Sequence, residues 1–196
     1  MSDRSVQADI RVGSTPQRTT HVSAAERRAA ASARHWLGLG VITVAAIIAD
    51  QATKAVVRSS LAVDDSVHLV GPLSLRHIWN TGIAFGLFSR AVIGVIALTV
   101  LALVWILVFF ARSGARHPAL VPALGLLAGG SITNLVDRIR LGHVTDFIDF
   151  HYWPTFNLAD SFITAGVALL VFVALLSDRR RDLPARIGQG AGAPPA

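Results

Sequence analysis

Hydrophobic positions gather into four long runs, at about 37–57, 91–110, 118–136 and 157–177. Each is close to the ~20 residues that a helix needs to cross a ~30 Å hydrocarbon core. Lipid offers no partner to a bare peptide group, so each run is predicted to be a transmembrane helix. The first is longer than the apolar part of a cleaved secretory signal and contains Asp50, which favours an uncleaved span. Two polar stretches flank this body. Residues 1–36 are rich in Ser, Thr, Ala, Gln and Arg with no apolar period, and 178–196 end in Gly, Ala and Pro, so both read as disordered tails. The expected fold class is an α-helical integral membrane protein, with one membrane domain over 37–177.

Composition agrees with this pattern and removes several chemistries. With 53% hydrophobic and 15% charged residues among 196, the apolar surface exceeds what one core of this size can bury. The absence of cysteine excludes a thiol nucleophile, a disulfide and a Cys-ligated metal. The single Glu, Glu26, lies in the N-terminal tail, so an H-E-x-x-H zinc site is excluded as well.

A net charge of +6 raises the question of nucleic acid, and its placement answers it. Residues 1–36 carry +3, residues 178–196 carry +2, and the body between carries only +1. Charge flanking apolar spans is a topology signal and an attraction to anionic lipid, so membrane lipid and not nucleic acid is the expected partner. Arg27, Arg28 and Arg34 precede the first run, Arg112 and Arg116 separate the second from the third, and Arg179–Arg181 follow the fourth. These sets share one side only if both termini are cytoplasmic, which leaves the loops 58–90 and 137–156 outside.

The first outer loop has a pattern of its own. His68-Leu69-Val70, a Gly71-Pro72 turn and Leu73 to Ile78 alternate apolar and polar residues, predicting a small extracytoplasmic β-sheet. Gly82 to Phe88 is too short to span and too apolar for free solvent, predicting an interfacial segment.

Ionisable residues near the outer ends of the spans are costly there and tend to be paired or functional. Asp50 and Lys54 are four apart with the acid first, a favourable pair on one helical face, either as an anchor or as support for a site. Asn134 shares a face with Asp137 and Arg138, which suggests a structural tie for the latter two, and Gly129-Gly130 allow close helix approach. Tyr152 and Trp153 suit the membrane interface, and Pro154 suits a helix start. Counting from there at ~1.5 Å per residue, Asp160 lies roughly 9 Å into the fourth helix, with Asn157 and Ser161 on its face. An acid at that depth needs a partner, and Asp146 in the loop before it is the best candidate; Asp149 better suits a capping or solvated position. Two carboxylates forced together in a low dielectric share a proton. One can then activate water while the other donates to a carbonyl oxygen, as peptide hydrolysis requires.

Five stretches in this order, Asp50-Gln-x-x-Lys54, Asn80-Thr-Gly-Ile-Ala-Phe-Gly86, Gly129-Gly-x-x-x-Asn134-x-x-Asp137-Arg138, Val144-Thr-Asp146-Phe-Ile-Asp149-Phe and Phe156-Asn157-Leu-Ala-Asp160-Ser, resemble the bacterial lipoprotein signal peptidase (signal peptidase II) family. The resemblance covers about residues 37–177. It implies an aspartic intramembrane endopeptidase of the bacterial inner membrane, cutting diacylglyceryl-modified prolipoproteins just before the lipid-bearing Cys. Carried over by motif, Asp146 and Asp160 form the catalytic pair. Asp50, Lys54, Asn80, Asn134, Asp137, Arg138, Asn157 and Ala159 are supporting or substrate-contacting. No metal or cofactor is implied, and a monomer is expected. The departures are the Arg-rich N-terminal tail, whose purpose the family pattern leaves open, and the short interval between Asp146 and Asp160.

Two other classes fit the sequence less well. A serine protease would use Ser131 or Ser161 with His143 or His151, but no pattern activates either serine. A transporter would spread polar residues through the membrane depth, whereas here they gather near one surface.

Overall fold

The computed structural model describes residues 31–81, 88–114 and 116–188. The chain runs α1 (Ala33–Ser60), β1 (Ser66–Val70), β2 (Leu73–Asn80), α2 (Phe88–Ser113), α3 (Leu120–Leu141), β3 (Val144–Phe150), β4 (Trp153–Phe156) and α4 (Leu158–Gly188). All four helices contain stretches long and apolar enough to cross a membrane, the one in α4 ending at Leu176. Most of the predicted N-terminal tail, and the interfacial segment expected at 82–88 apart from Phe88, lie outside the described residues.

The helices outrun the apolar runs that signalled them. α1 begins at Ala33 rather than 37, and Ser32 N–H just before it donates to His35 Nδ1 at 3.1 Å. α4 continues through the charged run Asp178–Arg181 to Gly188, so the first part of the predicted C-terminal tail is helical. Hydropathy marks where lipid ends, whereas a helix ends only where its backbone geometry is broken.

α3 is the central helix and packs against the other three. At the end away from the sheet, Leu39, Ile106, Phe110, Leu124, Leu127 and Ala128 form the apolar core. Trp36 meets Phe110 edge to face there, with ring centroids 5.0 Å apart. Nearer the sheet, contact relies on small residues, because lipid gives no hydrophobic force to drive helices together. A Cβ on Gly129 would lie 2.6 Å from Ala46 Cβ on α1, and one on Gly130 would lie 2.5 Å from the Ala159 carbonyl oxygen on α4. Each glycine thus admits a different neighbour. Gly130→Ala is expected to destabilise the protein by ~1–3 kcal/mol, because the atom it strikes is backbone and cannot swing aside. Thermal unfolding in detergent should show this as a lowered midpoint.

The strands form one open antiparallel sheet in the order β1-β2-β3-β4. β1 and β2 are the predicted hairpin. β3 and β4 fall in what reads from sequence as an outer loop, and they complete the sheet from the other side. The missed signal has a cause: Val144, Thr145, Asp146 and Phe147 are all buried, so β3 shows no in–out alternation over its first half. Gly142, in the left-handed region at φ 76°, closes α3 with its N–H on Arg138 O at 3.1 Å and turns the chain into β3. Pro154 lies in the edge strand β4, where a missing N–H is tolerated, and does not start the helix. α4 begins at Leu158, so Asp160 stands in its first turn and not 9 Å along it.

Candidate active site

The helix start places Asp160 through a reciprocal cap. Asn157 Oδ1 accepts the Asp160 N–H at 3.0 Å, while Asp160 Oδ2 accepts the Asn157 N–H at 3.2 Å. This is a capping box with Asn and Asp in the usual Ser/Thr and Glu roles. Part of the reason for an acid at 160 is therefore helix capping. Its other oxygen faces the bundle, where Oδ1 accepts Asn134 Nδ2–H from α3 at 2.9 Å.

Asp146 reaches the same place from the sheet. β3 pairs with β2 in a register that sets Asp146 opposite Ile78 and Val144 opposite Asn80. Asn80 Nδ2 donates to Asp146 Oδ2 at 2.7 Å, and Asn157 Nδ2 donates to Asp146 Oδ1 at 2.6 Å. Asn157, itself fully buried, is thus bonded to both carboxyl-bearing residues. Asp149, three positions along the strand, points to the opposite face and lies across from Ser74.

Burial pushes the Asp146 carboxyl up to about 6; the Asn80 and Asn157 amides oppose this, and the nearby Asp160 charge adds to it. A carboxyl whose folded value stands above its unfolded one removes stability as pH rises from about 4 to about 6, because the fold must then hold an unwelcome charge. Asp146→Asn is accordingly expected to be at least as stable as the parent at pH 7 to 8, as read by unfolding midpoints across pH.

Behind the two aspartates lies a buried ion cluster. Lys54 Nζ meets Asp50 Oδ2 at 2.8 Å and Asp137 Oδ2 at 2.7 Å, with all three residues 2% exposed or less. The Asp50–Lys54 pair is the one the spacing predicted. Asp137, expected with Arg138 to link the end of its helix to neighbouring elements, shares the same ammonium across two helices. Asp50 also accepts Thr133 Oγ1–H at 2.7 Å and the Ala159 N–H at 2.9 Å, which satisfies a first-turn amide of α4. Ala159 contributes that backbone group and a side chain small enough to be fully buried beside Gly130. Gln51 Nε2 links Thr133 Oγ1 at 2.6 Å to Asp137 Oδ1 at 2.9 Å. Gln51 and Thr133 were not singled out from sequence; the signal for Thr133 is its position four before Asp137, on the same helical face. Arg138 Nη1 makes one long bond to Asn134 O at 3.4 Å, and its buried Nε has no partner among the described residues.

The serine alternative finds no geometry. Ser161 Oγ bonds back to Asn157 O at 3.3 Å, and His143 stacks on Trp79 at 4.5 Å. Among the described residues neither Ser131 nor Ser161 is hydrogen-bonded to His143 or His151.

Two carboxyls from β3 and α4, joined through one asparagine at the sheet end of the bundle, can serve as acid and base toward a substrate between them. Comparison with known proteins identifies the family. The family profile described as signal peptidase (SPase) II matches residues 42–176. A lipoprotein signal peptidase of Pelotomaculum thermopropionicum is 42% identical over 141 residues, covering 71% of this chain and 92% of the relative. One from Mesorhizobium japonicum is 38% identical over 158 residues, covering 78% and 94%. A solved bacterial membrane enzyme superposes with a TM-score of 0.67 at 32% identity, over 71% of this chain and 93% of that one. Profile, relatives and fold span the same membrane body, and the chain belongs to the signal peptidase II family of peptidases.

Proposed function

We propose that this chain is an aspartic intramembrane endopeptidase that removes the signal peptide of diacylglyceryl-modified prolipoproteins, cutting before the lipid-bearing Cys, with Asp146 and Asp160 as its catalytic pair. The family carries the substrate class. The observation that carries the chemistry is Asn157, whose side chain bonds the Asp146 carboxyl at 2.6 Å and whose cap holds Asp160. The ionised member of the pair takes a proton from water as its oxygen attacks the scissile carbonyl. The protonated member gives its proton to the carbonyl oxygen. Collapse of the tetrahedral intermediate breaks the C–N bond, and the amine leaves with a proton returned from the pair.

Both termini are cytoplasmic in this reading, because the arginine sets then share a side, and the sheet end meets the outer leaflet. Exposed Tyr152 and Trp153 at the β3–β4 turn suit that level. The enzyme works as a monomer among lipids on a substrate anchored beside it. Incubating purified protein with a diacylglyceryl prolipoprotein, and mapping the product by mass, tests the assignment; uncut precursor would refute it.

The acid half must keep its proton. With the Asp146 carboxyl near 6, kcat/KM is expected to fall as pH rises beyond about 6. Asn80→Ala removes a donor that favours the charged form, so the falling limb should move to higher pH. A limb that stays in place or moves down would contradict the role given to Asn80.

A further inference from the structure

Lys54 is the only lysine in the chain, and among the described residues its ammonium makes three contacts. Two are the carboxylates of Asp50 and Asp137, and the third is a neutral amide oxygen, Asn134 Oδ1 at 2.9 Å. Ion pairing explains the first two and not the third. An asparagine side chain has an accepting end and a donating end, while an ammonium can only donate. Lys54 therefore claims the carbonyl end of Asn134, joined there by Asn157 Nδ2 at 3.3 Å. The Nδ2 end is left facing Asp160 Oδ1 at 2.9 Å. The Asn157 amide is oriented by the α4 cap; the Asn134 amide is oriented by Lys54.

We propose that Lys54 is a positioning residue for the aspartate pair: by holding the carbonyl end of Asn134 it presents only N–H to Asp160 Oδ1, which keeps that oxygen a proton acceptor. This rests on the catalytic pair assigned above. Asp160 then takes the proton from water, and Asp146 protonates the scissile carbonyl oxygen. Released from Lys54, the Asn134 amide can turn its oxygen to Asp160, and the proton then settles on that aspartate. Water loses its base. Lys54 is fully buried and does not reach the substrate, so the loss falls on kcat and not on KM.

The test compares Lys54→Ala/Asp137→Asn with Asp137→Asn alone in cleavage of a diacylglyceryl prolipoprotein. The double substitution removes one cation and one anion together, so the net charge of the cluster is that of the parent. We expect kcat ~100-fold below that of Asp137→Asn with KM within ~3-fold, the lower range for loss of one acid–base group. Propylammonium, which replaces the deleted atoms from Cγ to Nζ, should restore at least ~10-fold of kcat, since one ammonium donor suffices to turn the amide. Propane, which has no donor, should restore none. Equal kcat for the two variants, a loss confined to KM, or no restoration by the amine would overturn the proposal. If the double variant does not fold, Asn134→Asp keeps the contact to Lys54 but has no N–H for Asp160. Its kcat should fall by ~100-fold or more, and near-normal turnover would overturn the proposal. Parallel assays of Asp146→Asn and Asp160→Asn separate the two failures. Turnover by either removes the catalytic pair itself; if both are dead while Lys54 proves dispensable, only the role of Lys54 falls.

Discussion

Asp146→Asn and Asp160→Asn are each expected to lower kcat for prolipoprotein cleavage by about 10⁴-fold while the protein stays inserted and folded, the upper range for loss of a general acid or base. The amide is close to the carboxyl in size, so packing is kept. At 146 an amide can still bond Asn157, and relief from a buried charge offsets what is lost. At 160 the cap weakens, because the Asn157 N–H loses a charged acceptor, which costs on the order of 1 kcal/mol. Activity should therefore disappear without a matching fall in stability. Steady-state cleavage beside thermal unfolding in the same detergent separates the two effects. Turnover within 10-fold of the parent by either variant is incompatible with the assignment.

Lys54→Met should do the reverse and strike the fold first. The side chain is fully buried and neutralises two carboxylates. Taking one partner out of a buried pair leaves an uncompensated charge, which costs about 3–5 kcal/mol. Asp50 keeps the donors Thr133 Oγ1 and Ala159 N–H, so the stranded group is mainly Asp137, left among the described residues with Gln51. Adding Asp137→Asn to Lys54→Met is then expected to recover much of the lost stability, as a raised unfolding midpoint and a higher membrane-inserted yield. A single Lys54→Met variant with the parent's midpoint would show that the cluster is solvated or already protonated.

What could be read from sequence follows from which solvent each segment meets. Lipid imposes one rule on α1 to α4, so the four runs announced themselves, and an i, i+4 pair such as Asp50 and Lys54 needs nothing beyond helix periodicity. Asp146 and Asp160 stood out because an acid beside apolar neighbours is rare enough to ask for a reason. The contacts that give them meaning were not legible. That Asn157 joins both depends on α4 starting at Leu158, and Pro154 pointed to an earlier start. That Asp137 shares the ammonium of Lys54 depends on α1 and α3 approaching at Gly129, a distance no spacing within one helix encodes. β3 escaped notice because burial on both faces erases the alternation that reveals a strand. Helix ends were misplaced for a related reason: polarity changes at the membrane surface, and α4 runs on past it to Gly188.

The central claim is that Asp146 and Asp160 act as one unit, and a double-mutant cycle in kcat tests it most directly. If each aspartate works only through the other, Asp146→Asn/Asp160→Asn should be no slower than either single variant, near 10⁴-fold below the parent, because the first substitution has already removed the function of both. Losses that multiply, with the double variant slower than both singles by the product of their effects, would mean that the two aspartates contribute independently and would contradict the account.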